Sequence, residues 1–374
     1  MSLRGTDYFD EISFQKFAIT YLMDIALFQT GQHNLARMLE VECLQLGRLL
    51  HLHRIEEYEG LNNIEIQLRK KGFWLLFYSF VHSEVQNLRK ERLSFLDPEL
   101  LSSIDLEALM PKDTDDEAIF EDHIVERSCT EPCLTTGYNI HSQVFWAAVR
   151  ARGPTSANHH SMNECHCIHA RDPQGQIEHL LERLHDLKYT LHAVPNQLRQ
   201  WTLHSAHLNP GVFADSLEIV LSQFGAMRVN VHVTHLWLQS ILLDRLEAIL
   251  HDSRTILDPS RLLATVHARW SEREAVCSQL LHVLHAVSEE DIEPNGLHLA
   301  YKVRDVAVGL LACPYEPHEL PSLRAMEYVR EFTDILARLD TFETVTTTNL
   351  QTWIDTDRER GRRSRENIEH MTPN

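Results

Sequence analysis

The feature that most constrains this chain is the three- and four-residue recurrence of its apolar side chains, which runs almost from end to end. Residues 12–29 place Phe14, Phe17, Tyr21, Ile25 and Phe28 on one stripe, and residues 34–53 repeat the pattern with Leu35, Leu39, Cys43, Leu46 and Leu50. A period near 3.6 is that of an amphipathic helix burying one face. The "TGQH" between the two stripes makes a short turn, so the pair predicts an αα-hairpin. Alternating β-branched runs are few, and only 13 Gly and 13 Pro punctuate the 374 residues. The expectation is an all-α fold, an irregular multi-helix bundle of roughly ten or more helices.

The stretch "LRKKGFWLLFYSFVHSEVQNLRKERL", residues 68–93, tests that reading, because basic ends with aromatics between them also suit a nucleic-acid grip. Trp74, Phe77, Tyr78, Val81, Val85 and Leu88 recur at helical steps, which puts the aromatics on one core-facing stripe. Acidic residues outnumber basic ones 54 to 35, for a formal net charge of −19, and such a field repels a phosphate backbone.

Further along, Pro98 closes this unit, and "PKDTDDEAIFEDH" reads as a surface loop or short helix. "GYNIHSQVFWAAVR" begins a second helical block near Thr136. Residues 153–175 are polar and predict a disordered linker. Residues 176–203 predict a helix interrupted by Pro195, and 213–251 a long helix or a kinked pair with Gly225 as its weak point. Helices are also expected at 260–288, 297–312 and 321–341. This divides the chain into an N-terminal helical half (1–150), a flexible His/Cys-containing insert (151–175), a C-terminal helical half packed on the first (176–345) and a polar basic tail (346–374).

The seven cysteines, Cys43, Cys129, Cys133, Cys165, Cys167, Cys277 and Cys313, are too scattered for a disulfide framework, which points to a reducing compartment. No signal-peptide pattern opens the chain, and no apolar run approaches the ~18–20 residues of a membrane span. A protein of the nucleus or cytoplasm, without membrane attachment, is expected. The 24 histidines include His232 with His235 and His282 with His285, each pair one helical turn apart. Neither pair brings the Glu of a His-Glu-x2-His helix or a nameable third ligand. The cluster His159, His160, Cys165, His166, Cys167 and His169 lies in the polar insert. No metal and no cofactor are therefore expected. Arg358, Arg360, Arg362, Arg363 and Arg365 in the tail suit a nuclear import signal or a solvated helix end.

One segment carries a family resemblance. Leu52, His53 and Arg54, then Glu65, then Arg69, Lys70 and Lys71 ahead of Phe73 and Trp74, then Arg89, Lys90, Glu91 and Arg92, and finally Ile104, Asp105 and Leu106 follow one another in an order that resembles the middle homology region of fungal binuclear zinc-cluster transcription factors. "GYNIHSQVFWAAV", "RVNVHVTHLWLQSILLD" and "IEPNGLHLAYKVRDVA" resemble the same proteins. The resemblance implies a regulatory domain that binds a small-molecule effector or a partner protein, such as another transcription factor or a second copy of itself. The six-cysteine zinc cluster of that family is not present in this sequence, so specific DNA binding is not implied.

The ligand site expected between helices comprises Trp74, Tyr78, His82, Asn230, His232, His235 and Trp237, since such sites combine aromatics with a few polar groups. The alternative is an enzyme of small-molecule, secondary metabolism on the same scaffold, with His82, Arg228, His232, His235 and Asp244 as acid–base candidates. No nucleophile elbow or phosphate-cradling loop supports it. A non-enzymatic regulator with no catalytic residues is placed ahead of it.

Overall fold

The computed structural model describes residues 8, 10, 12–86, 94–126, 132–149, 173–199, 214–252 and 259–339. The insert through residue 172, with its His/Cys cluster, the basic residues 89–92, Leu88 and the arginine-rich tail lie outside them.

The fold is all-α. Its helices are α1 (Phe14–Gln29), α2 (His33–Leu49), α3 (Asn63–Gln86), α4 (Pro98–Ser103), α5 (Leu134–Val149), α6 (Pro173–Tyr189), α7 (Ala214–Asp252), α8 (Pro259–Ala286), α9 (Glu289–Ile292), α10 (Gly296–Gly309) and α11 (Leu320–Leu339). Among the described residues no β-strand forms, and the acidic loop contributes a short 3-10 turn and one isolated bridge, Ile119 to Ile124. Helix boundaries follow local chemistry. Ser13 caps α1 through its hydroxyl, Asp97 caps α4 ahead of Pro98 at the first position, and Ser288 caps α9; each satisfies an orphan backbone N–H.

Helices α1 and α2 pack as the expected hairpin, with Gly31 between them at φ 73°. Leu35, expected in the α2 stripe, is instead exposed at 50% with Met38, because the buried face of α2 is centred on Leu39, Cys43 and Leu46. The central element is the 39-residue α7, against which α5, α6, α8, α9 and α10 all pack. One continuous apolar core joins Phe17 and Phe77 of the first half to Trp237, Val303 and Phe332 of the second.

One expectation for this region needs correction, and another is decided between its two alternatives. The helix expected over 176–203 ends at Tyr189, six residues before Pro195, and Asn196–Leu198 form a separate turn. For 213–251 the single long helix is the alternative that forms, and α7 does not divide at Gly225. The glycine is there for clearance: a Cβ would collide with Asp291 Oδ1, on a buried carboxylate that meets Arg228 at 3.3 Å. Gly225→Ala is expected to lower unfolding free energy by about 1–2 kcal/mol, since displacing Asp291 outweighs the ~1 kcal/mol gained in helix propensity; chemical denaturation checks it, and a stabilised variant would contradict the clearance argument.

Several of the described residues that carry the family resemblance serve the scaffold. Glu65 pairs with Arg69 at 2.7 Å, and Arg69 Nη1 donates to the carbonyl of Leu50 beyond the end of α2. Trp74, fully buried, donates its indole N–H to Leu109 O at 3.0 Å. Asn139 donates to Pro111 O, and Gln67 Oε1 accepts from the Lys112 amide. The irregular segment 109–112 can therefore lie against α3 and α5, because its backbone polar groups find side-chain partners.

Candidate functional site

Helices α3, α5, α7 and α10 converge on Lys302. Its side chain is buried, with 3% of the residue's surface exposed. Its ammonium donates to Thr234 Oγ1 at 2.7 Å and to Asn230 Oδ1 at 3.2 Å, both on α7. The faces of Phe145 and Trp237 lie 5.8 and 5.7 Å away, within cation–π range. A lysine ammonium has three donors; among the described residues no acceptor meets the third and no carboxylate pairs with the charge. Burial without a compensating anion pushes this amine down to about 7, because desolvation penalises the charged form.

Three imidazoles surround it. His82 of α3 stacks on Trp237 with ring centres 4.7 Å apart and lies 5.9 Å from His298. His141 of α5 meets Thr234 Oγ1 through Nε2 at 3.1 Å. His298, one turn before Lys302, stacks on Phe28 of α1 at 4.5 Å, and its Nε2 is buried with no hydrogen-bond partner. Burial, reinforced by Lys302, lowers all three: His298 to about 4, His82 and His141 well below the ordinary histidine range. At neutral pH they are uncharged acceptors and donors rather than cations.

Tyr78 completes the aromatic wall. Its ring stacks on Phe145 at 4.7 Å and its hydroxyl donates to Ser142 at 2.6 Å, while Ser142 donates on to Tyr138 O. Trp237 is fixed by Nε1 donating to Asp305 Oδ2 at 3.1 Å, and Asp305 is held in turn by Arg304.

Of the residues expected at a site, Tyr78, His82, Asn230 and Trp237 lie together here, and Trp74, His232 and His235 do not. The reason is helical geometry. At roughly 100° per residue, Asn230, Thr234 and Trp237 share one face of α7, whereas His232 and His235 project from the opposite side. His232 Nε2–H donates to Leu198 O at 2.8 Å and His235 Nε2–H to Leu187 O at 2.7 Å, and the Gln239 amide meets His235 Nδ1 at 3.2 Å. Burial pushes His235 down to about 4 and lowers His232 as well. These neutral imidazoles tie α7 to the end of α6 and to the Asn196–Leu198 turn. Trp74 belongs to the core beside Leu109, Arg228 answers Asp291, and Asp244 is 2.7 Å from Arg273.

Lys302, His141, His298, Thr234, Phe145 and Asp305 were not among the expected site residues. The available signal was the spacing of His298, Lys302 and Asp305, four and three residues apart, which aligns three polar groups along one face of α10. On α8, His282 is exposed and His285 meets Glu331 at 3.2 Å. Among the described residues no group of three or more His, Cys, Asp or Glu is placed to hold a metal ion, and no helix is long and apolar enough to cross a membrane.

No protein-family model, no curated protein and no solved structure matches this chain.

Proposed function

We propose that this chain is a small-molecule-binding regulatory domain, and that its effector is an aromatic or conjugated compound whose oxygen accepts from Lys302. The observation that carries this reading is a buried ammonium with an unused donor, flanked by aromatic faces and by neutral histidines. A buried polar group without its full complement of partners is costly, and a ligand oxygen supplies what the protein withholds. Tyr78, His82, Asn230, His141, His298 and Asp305 retain partial accessibility around a lysine that has almost none. Trp237, Phe145, Tyr78 and His82 offer ring faces to a planar guest. Regulation through an effector or a partner protein is the role the family resemblance implies, and the net charge of −19 argues against contact with DNA by this chain alone,.

The test is a titration with a panel of aromatic carboxylates, amides and ketones, followed by tryptophan fluorescence. Saturable quenching is expected, weakened at least tenfold in Lys302→Met and unchanged in His285→Ala, which lies on an exposed face of α8. Binding that is indifferent to Lys302→Met, or no binding across the panel, overturns the proposal.

A further inference from the structure

The geometry points to Lys302 as a reactive amine that condenses with an aldehyde or ketone ligand to form an imine. This rests on the small-molecule reading above and names the chemical class its effector or substrate would take.

The described lysines differ in a respect that matters for nucleophilicity. Lys71 pairs with Asp116, Lys112 with Glu126 and Lys188 with Glu272, while Lys16 and Lys70 donate to the carbonyls of Tyr8 and Met110. A carboxylate beside an ammonium holds the proton on nitrogen and hides the lone pair. Lys302 has only neutral partners, Asn230 and Thr234, and unlike Lys70, which also meets only a neutral carbonyl, it is buried to 3% exposure between the faces of Phe145 and Trp237. Desolvation favours the free amine at such a site and is a recognised route to an activated lysine. The charged and titratable groups facing it are His82 from α3, His141 from α5, and His298 and Asp305 from α10. Asp305 is engaged by Trp237 and Arg304, and the three imidazoles are uncharged at neutral pH.

The step balances without an external oxidant or reductant. The Nζ lone pair attacks the carbonyl carbon, the C–N bond forms, and the C=O π pair moves onto oxygen. A proton passes from nitrogen to that oxygen, giving a carbinolamine. The nitrogen lone pair then expels the hydroxyl, which leaves as water with a second proton from nitrogen. His298, one helical turn away on α10 and with its Nε2 unpartnered, is assigned the transfer of these protons, and Thr234 and Asn230 hold the nitrogen in register.

The probe is benzaldehyde at pH 7, with sodium borohydride added to reduce any imine to a stable secondary amine, and mass spectrometry of the intact protein and its peptides as the readout. Among the lysine side chains one benzyl group is expected, on Lys302, formed more than about tenfold faster than on any other lysine because an ordinary lysine is less than ~0.1% free base at this pH; the peptide map separates it from any adduct on the α-amino group. Lys302→Met should abolish the single fast adduct. Labelling spread over Lys16, Lys112 and Lys188 with none on Lys302 overturns the inference. In that event, fluorescence quenching by benzamide, which cannot form an imine, separates the two failures. Lys302-dependent benzamide binding leaves the small-molecule site standing without its covalent step, and its absence removes both.

Discussion

Lys302→Met is expected to make the protein more stable, by a few kcal/mol at pH 7, measured by chemical denaturation. An amine whose affinity for a proton drops from the ordinary 10.5 to about 7 on folding carries a desolvation cost of up to ~5 kcal/mol at 1.36 kcal/mol per unit. The ammonium's hydrogen bonds and cation–π attraction, which methionine cannot make, return part of that gain, about 1–3 kcal/mol. Methionine matches the unbranched stem, and the groups it leaves behind keep partners, since Thr234 still meets His141 and donates to Asn230. The sign with pH follows from proton counting. Between pH 7 and 10.5 the unfolded lysine binds a proton that the folded one has released, so the native chain gains stability as pH rises through that window. The advantage of Lys302→Met is therefore largest at and below pH 7 and shrinks toward pH 10.5. A variant less stable than the native chain at pH 7 would refute the account of an uncompensated buried charge. A residue retained at the expense of stability is the pattern expected of a functional group.

Arg273→Ala should have the opposite effect, a loss of about 3 kcal/mol or more. Arg273 on α8 is only 1% exposed, with its guanidinium 2.7 Å from Asp244 and 2.9 Å from Glu247 on α7. Alanine removes the packed stem as well as the charge, and leaves two carboxylates one turn apart on α7 repelling each other. Glycine at 309 belongs to the same arrangement, because a Cβ there would collide with Arg273 Nη1. The two carboxylates are 43% and 30% exposed, so water can take up part of the loss, and the expected effect sits at the low end for breaking a buried pair. Asp244→Asn should cost far less, about 1 kcal/mol, because Glu247 remains to answer the guanidinium. Equal losses in the two variants would show that packing, not the ion pair, carries the effect.

Asp244 also shows where sequence reasoning fails. A carboxylate on a helix rich in histidines reads as an acid–base candidate, yet its role is set by an arginine that approaches from another helix. His232 and His235 show the same limit differently: their spacing is legible, and so is the fact that they cannot share a face with Asn230 and Trp237. Which face meets a ligand and which meets the carbonyls of Leu187 and Leu198 is not legible, because it depends on where α6 ends and turns. Gly225 was readable as a weak point from propensity alone, while its purpose came from Asp291, distant in sequence and packed against it.

Periodicity by itself determined the helical class, most helix positions and the inward turn of Trp74 and Phe77, because a repeat near 3.6 residues is a local property and apolar faces must be buried somewhere. It could not determine which buried faces would be opposed. Lys302 looks like any lysine on a helix surface until α3, α5 and α7 close over it and remove its water, and the loss of hydration, an effect of the assembled bundle, is what turns an ordinary side chain into the most distinctive group in the protein.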